Sequence, residues 1–347
     1  MVTIESLPNE LWMMFFGYFN AHELYYHFNG LNARIDRLIR SVSNLCLKIN
    51  ENNYAYYVQH IMPRINFRNI QSLSFHSQSK TVKTTDFFLH YPLNRFRKLR
   101  SFVFHDWYLP LENHRQVIEQ LPYLKILERL DIKLMELSMD FSDENNTRTI
   151  ELIFNSSKNL RTSLKHVTLD IYVSNSMLPQ ISFLPTNIED FQVSVMHVES
   201  FLKLTPSLAS SCRTIQFKYL EGSHSNEVQL PPSTKVLSHC TKVTVKKTNC
   251  YFRFDHLKAF LSCLPEVKQL SIDNTCANEF ITAEHLEFLL NRYCSKLSKF
   301  QYTYRDDPSY TFADFTGACK QSGYWSSGDV HFAKVLHGHV LYFDRKQ

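Results

Sequence analysis

Three histidines near the end of the chain come closest to a metal-binding pattern. His331, His337 and His339 lie close together, but no cysteine or carboxylate stands at ligand spacing from them. Structural and catalytic metal sites need three or four such ligands in a compact spacing. Apolar residues recur through 340–343, which predicts a strand that caps the fold. We therefore predict no metal site and no cofactor.

Cysteine is the other reactive side chain, and the chain has eight, at positions 46, 212, 240, 250, 263, 276, 294 and 319. No two of them form a CxxC motif, and several occupy apolar positions of strand-like or helix-like segments. Scattered thiols of this kind pack as small hydrophobic side chains. We predict buried, reduced cysteines rather than nucleophiles.

Common catalytic motifs are also missing from the sequence. The chain contains no GxSxG, HExxH, GxGxxG or P-loop pattern, and its 7 glycines leave little room for a glycine-rich phosphate loop. These observations together predict a protein that is not an enzyme.

Charge and composition restrict the kinds of partner that the protein is expected to bind and the cellular compartment in which it is expected. The 38 basic and 33 acidic residues give a net charge of +5, and the basic residues are spread along the chain, which argues against nucleic acid. No run is long and apolar enough to cross a membrane, and the first ten residues do not read as a signal peptide. We expect a cytoplasmic or nuclear protein.

A short apolar pattern recurs nine times and must position whatever the chain binds. Each copy has apolar residues at its first, fourth and sixth positions. The copies start at Ile70, Leu99, Leu127, Leu164, Ile188, Cys212, Cys240, Val267 and Leu297, which are 24 to 37 residues apart. A period in this range with one strand per unit is typical of a stacked repeat array. The longest interval contains the polar stretch 140–147, which predicts an inserted surface loop.

Helical spacing follows most of these strands, as in 254–264 and 283–294. Strands joined by helical crossovers must be parallel. The repeat resembles the leucine-rich repeats of the longer, helix-containing kind over residues 69–304. That resemblance implies an α/β horseshoe with parallel strands on the concave face and helices outside. The asparagine that usually closes the repeat is missing, so we expect an irregular solenoid.

The first forty residues form a separate pattern. Leu11, Phe15 and Phe19 recur at helical spacing, and the segment from Asn20 to Glu23 has the form of a capping box. Two or three short helices of this size cannot bury a core alone. Their remaining apolar surface must therefore contact another surface.

This segment resembles the F-box. The match lies in Leu7-Pro8, Glu10-Leu11, Phe15-Phe16 and Tyr18-Phe19, although Ile35 stands where the family usually has tryptophan. The resemblance implies a docking site for a Skp-type adaptor, and through it a cullin ligase. The residues that would contact the adaptor are Leu7, Pro8, Leu11, Phe15, Phe16 and Phe19. The alternative is that these side chains only pack the helices against the first repeat.

The sequence thus predicts a helical F-box-like motif at 1–45, a helical linker at 46–68, and a leucine-rich-repeat-like solenoid with a C-terminal cap at 69–347. By resemblance, the protein is a non-catalytic substrate-recognition subunit of an SCF-type ubiquitin ligase. The alternative is a free-standing repeat protein that acts as an interaction scaffold outside ubiquitin ligation.

The protein substrate is expected on the polar face of the strands. Lys218, Lys242 and Lys246 fall on two neighbouring strands whose inner polar positions include no acidic residue. Like charges gathered in this way favour an acidic or phosphorylated partner. We therefore predict these three lysines as substrate-binding residues.

Overall fold

Burial of the repeat pattern determines where the strands form. The residue that opens each of the nine copies has no exposed surface. The next apolar positions of the copies are buried as well, among them Leu73, Leu130, Val193 and Ile272. Buried and more exposed residues then alternate in strands such as Ser101–Asp106 and His166–Val173, as expected when one face of a sheet packs against helices.

The structure is a computed structural model, and it describes residues 6–77, 84–106, 111–134, 143–173, 178, 183–223, 228, 231, 234–305, 311–335 and 338–345. The chain divides into two compact units. The first comprises residues 1–145 and 157–166, and the second comprises residues 146–156 and 167–347.

The first unit begins with three helices and continues with four parallel strands. Its elements are α1 (Asn9–Phe16), α2 (Ala21–Phe28), α3 (Ala33–Ser41), β1 (Leu45–Ile49), α4 (Tyr54–Tyr56), β2 (Ile70–Ser77), α5 (Thr84–His90), β3 (Ser101–Asp106), α6 (Leu111–Ile118) and β4 (Arg129–Leu134). Neighbouring strands pair in chain order from β1 to β4. The register aligns Phe75, Phe104 and Ile132 as one buried row.

Two helices, α7 (Asp143–Glu151) and α8 (Lys158–Ser163), lie between the third copy of the repeat and the fourth. The prediction of a loop over 140–147 is therefore wrong from Asp143 onward, while residues 140–142 lie outside the described residues. Thr149 and Ile150, in the last turns of α7, have no exposed surface. Tertiary burial stabilises this helix despite its polar sequence.

The second unit continues the same pattern. Its elements are β5 (His166–Val173), β6 (Asp190–His197), α9 (Val198–Leu208), β7 (Thr214–Glu221), β8 (Lys242–Val245), α10 (Phe254–Ser262), β9 (Gln269–Asp273), α11 (Ala283–Tyr293), β10 (Lys299–Tyr304), α12 (Phe312–Gln321), β11 (Gly328–Val335) and β12 (Gly338–Arg345). The strand order is β5-β6-β7-β8-β9-β10-β12-β11. Pairing is parallel from β6 to β10 and antiparallel in the final hairpin.

The predicted parallel strands in chain order are thus confirmed within each unit, and so is the terminal strand at 340–343, which lies in β12. The linker at 46–68, predicted as helical, instead opens inside β1. Leu45, Leu47 and Ile49 are buried there on alternate positions. This extra strand pairs with β2.

Candidate functional site

Hydrogen bonds made by side chains position the N-terminal helices. The Asn20 side chain accepts a hydrogen bond from the Glu23 backbone N–H at 3.1 Å, and the Glu23 carboxylate accepts one from the Asn20 N–H at 2.8 Å. This reciprocal pair is the predicted capping box at the start of α2. Arg34 of α3 donates to the Leu7 carbonyl at 2.6 Å and to the Asn9 amide oxygen at 2.8 Å. These bonds tie the chain preceding α1 to α3.

Aromatic rings form the core of this helical segment. Trp12 and Phe16 are 2% and 0% exposed, and their ring centroids lie 5.2 Å apart. The Phe16 ring also lies 5.4 Å from that of Phe28 in α2. Phe16 was predicted to contact an adaptor, but its burial makes it a core residue instead. Phe15 and Phe16 are adjacent in the sequence, and the sequence alone does not show which of the two rings is buried.

The opposite face of α1 is apolar and exposed. Leu11, Met14 and Phe15 of α1 are 47%, 66% and 41% exposed, and Tyr18, two residues after the end of α1, is 85% exposed. Spacings of three and four residues place the three α1 side chains next to one another on the helix, and Tyr18 follows at the same spacing. Of the fourteen exposed large apolar side chains in the described residues, six lie between residues 11 and 31. Contiguous exposed apolar surface of this kind is typical of an interaction site. We call these four side chains the α1 face.

The remaining predicted adaptor contacts border this face. Leu7 is half-buried and Pro8 is exposed immediately before α1. Phe19 is half-buried, with its ring centroid 4.9 Å from that of Phe15. Met14 was missed as part of this face because it lies outside the positions that match the F-box, and Tyr18 was part of the match but was not among the predicted contacts. Their spacing to Leu11 was the available signal.

The three predicted substrate-binding lysines are exposed on the second unit. Phe217 pairs with Val245, and the Lys246 N–H donates to the Phe217 carbonyl at 2.9 Å, so Lys218 and Lys246 lie side by side. Lys242 lies four residues before Lys246, or about 13 Å along an extended chain. The lysines therefore form a close pair and one more distant charge.

A hydrogen-bonded group at the ends of β5, β6 and β7 was not expected from sequence. The Tyr172 hydroxyl lies 2.8 Å from His197 Nε2, and a Glu221 carboxylate oxygen lies 3.2 Å from the same nitrogen. Glu221 thus places a carboxylate on the strand that carries Lys218. Because the three residues come from three strands, only the strand register reveals their contact.

A second polar group crosses β2, β3 and β4 in the first unit. Ser74 Oγ lies 2.6 Å from His76 Nε2, and His105 Nε2 lies 3.0 Å from Asp131 Oδ1. The two imidazole centroids are 4.7 Å apart. Burial lowers the pKa of His76, and the nearby His105 lowers it further. Burial would raise the pKa of Asp131, but the hydrogen bond and charge of His105, together with the charges of Lys133 and Arg129, outweigh it and the net shift is downward.

Burial protects most of the cysteines from reaction. Five of them are buried, while Cys46 and Cys250 are half-buried and Cys276 is exposed. Burial raises the pKa of Cys240 to about 12 and that of Cys263 to about 11. Thiols with raised pKa values stay protonated and unreactive at neutral pH.

In the part of the chain that the structure describes, no group of three or more His, Cys, Asp and Glu side chains could hold a metal ion. His337 lies outside that part. Among the same residues, no helix combines the length and the hydropathy required to cross a membrane.

Comparison with known proteins adds no relative. The chain matches no protein-family model and no curated protein.

Proposed function

We propose that the protein is a non-catalytic substrate receptor of an SCF-type ubiquitin ligase. In this proposal the α1 face, with Leu7, Pro8 and Phe19 at its border, docks a Skp-type adaptor, which links the chain to a cullin ligase. The parallel strands form an irregular leucine-rich-repeat-like horseshoe that binds a protein substrate. The observation that carries the proposal is the exposed apolar face of α1.

The α1 face supports a partner rather than intramolecular packing alone. Trp12 and Phe16 already fill the interior of the helical segment. Leu11 and Phe15 are therefore not required as core side chains and remain partly exposed. Leaving them in water forgoes burial worth about 1.5–3 kcal/mol for each side chain that becomes fully covered. A partner that covers this face recovers that free energy.

The lysine pair supports an acidic substrate segment. Lys218 and Lys246 project from neighbouring strands with their charges in solvent, and Glu221 on β7 is engaged by His197. A carboxylate-rich or phosphorylated segment would relieve the repulsion between the two ammonium groups. Lys242 would extend the contact along the same strand.

The test is co-expression of the full chain with a Skp-type adaptor followed by purification through a tag on the chain. We expect the adaptor to co-purify with the wild type and to be lost from the variant Leu11→Asp with Phe15→Asp. Phe288→Asp is the matched control, because Phe288 is 50% exposed on α11 of the second unit. It introduces the same kind of charge without touching the α1 face.

Circular dichroism must show that the double variant keeps the helix and strand content of the wild type. A folded wild type that does not retain the adaptor would overturn the proposal. That result would favour the alternative, a free-standing repeat protein that acts as an interaction scaffold. Such a protein would use the same strands to bind its partner but would not enter a ligase.

A further inference from the structure

A surface pocket of about 630 Å³ lies in the first unit, away from the α1 face residues. It is formed by the turns that precede β2 and β3, that is, by residues in 62–68 and 91–97. Its volume falls within the range of about 300–1,000 Å³ that is usual for ligand sites. None of its lining residues has a role in the function proposed above.

Stacked aromatic rings hold one arginine in the pocket. The Phe67 and Tyr91 rings lie 5.9 Å apart at an interplanar angle of 25°. The Arg95 guanidinium carbon lies 4.0 Å from the Phe67 centroid and 5.8 Å from the Tyr91 centroid. A guanidinium stacked in this way loses little freedom on binding and keeps N–H donors at its edge.

The charged side chains that line the pocket are all cationic. Arg68 and Arg97 join Arg95 in its lining, and both are exposed. Among the described lining residues there is no aspartate or glutamate. The two segments 62–69 and 91–100 also contain no acidic residue. The field inside the pocket therefore favours an anion.

The same pocket has an apolar side. Met62, Pro63 and Ile65 contribute to its lining next to the arginines. A ligand that uses both sides needs an anionic group and an apolar body. A nucleic-acid base is a poorer match, because Phe67 already engages Arg95 and Tyr91 and offers no free stacking platform.

We propose that this pocket binds the phosphorylated tyrosine side chain of a partner protein. The phosphate accepts paired hydrogen bonds from the arginine N–H groups, which match its geometry. The phenyl ring lies against the apolar side, which the short stem of phosphoserine would leave uncovered. This binding does not depend on the adaptor, because the pocket and α1 share no residues.

The test uses a fluorescein-labelled phosphotyrosine peptide with neutral flanking residues and measures its anisotropy as the full chain is added. We expect Arg68→Gln with Arg97→Gln to weaken binding at least about tenfold, since two charge-assisted donor groups are lost. Lys98→Gln with Lys125→Gln is the matched control. It removes the same charge from exposed positions of the same unit that do not line the pocket.

Competing probes identify the source of the phosphate. We expect an otherwise identical phosphoserine peptide to bind at least about fivefold more weakly, and the unphosphorylated peptide not to bind at the same concentrations. If the two double variants weakened peptide binding equally, the effect would come from the net charge of the protein and not from the pocket, and the proposal would be overturned. Binding to phosphoinositide vesicles without binding to the phosphotyrosine peptide would overturn it as well. Neither result bears on adaptor binding.

Discussion

At the residue scale, His114 is a titratable side chain buried in the core of the first unit. It is 2% exposed on α6, and within the described residues neither ring nitrogen has a hydrogen-bond partner. Its ring lies nearly parallel to that of Phe104, with centroids 6.5 Å apart. Burial lowers its pKa to about 4, because a charged imidazole is poorly solvated in an apolar core.

This burial predicts a pH-dependent stability. The folded pKa of His114 lies below the unfolded value of about 6.5, so the unfolded chain binds more protons between these values. The stability that the folded chain has with a neutral His114 is fully present above about pH 6.5 and is lost as the pH falls toward 4. Between pH 7 and pH 5, the free energy of unfolding of the wild type should therefore fall. We expect this fall to be about 2 kcal/mol smaller in the variant His114→Phe, which has no group that titrates at this position. Urea denaturation at both pH values measures this difference, and identical pH dependence of the two proteins would contradict it.

Phe16 and Leu11 give opposite predictions although both lie on α1. Phe16 has no exposed surface, so Phe16→Ala should lower the free energy of unfolding by about 3–5 kcal/mol. Leu11 is 47% exposed, so Leu11→Ala should cost less than about 1 kcal/mol. Thermal denaturation of both variants makes the comparison. Equal losses of stability would mean that the α1 face is part of the core.

At the scale of elements, the strand register brings Lys218 and Lys246 together. We expect Lys242→Glu with Lys246→Glu to weaken binding of a glutamate-rich peptide at least about tenfold at low salt, because attraction becomes repulsion. Lys258→Glu with Lys320→Glu, at exposed positions of α10 and α12, is the matched control. Fluorescence anisotropy at low and high salt provides the readout. Undiminished binding by the first variant would place the acidic partner elsewhere.

A helix or strand could be predicted from the sequence where a pattern of neighbouring residues specifies it. Alternating apolar residues specify the repeat strands directly, and the side chains that open them are all buried. The same alternation in β1 was present but fell outside the repeat. The first turns of α7 were missed because their polar sequence carries no apolar stripe before Ile150, and the stability of the helix comes from tertiary burial.

At the scale of the whole molecule, the groups that could carry function combine residues distant in sequence. The contacts among Ser74, His76, His105 and Asp131 depend on the register of three strands. The arginine pocket requires two turns to meet and the ring of Tyr91 to stack on Phe67. By contrast, most of the α1 face could be predicted from sequence, because it lies within three turns of one helix.

Adaptor binding tests the central claim most directly. Isothermal titration of the purified full chain with a Skp-type adaptor should give a dissociation constant of about 1 μM or tighter, which corresponds to about −8 kcal/mol. The variant Leu11→Asp with Phe15→Asp should show no measurable heat of binding, because a carboxylate buried without a partner costs several kcal/mol. A folded wild type that gives no heat of binding at micromolar concentrations would contradict the assignment of α1 as an adaptor-docking helix.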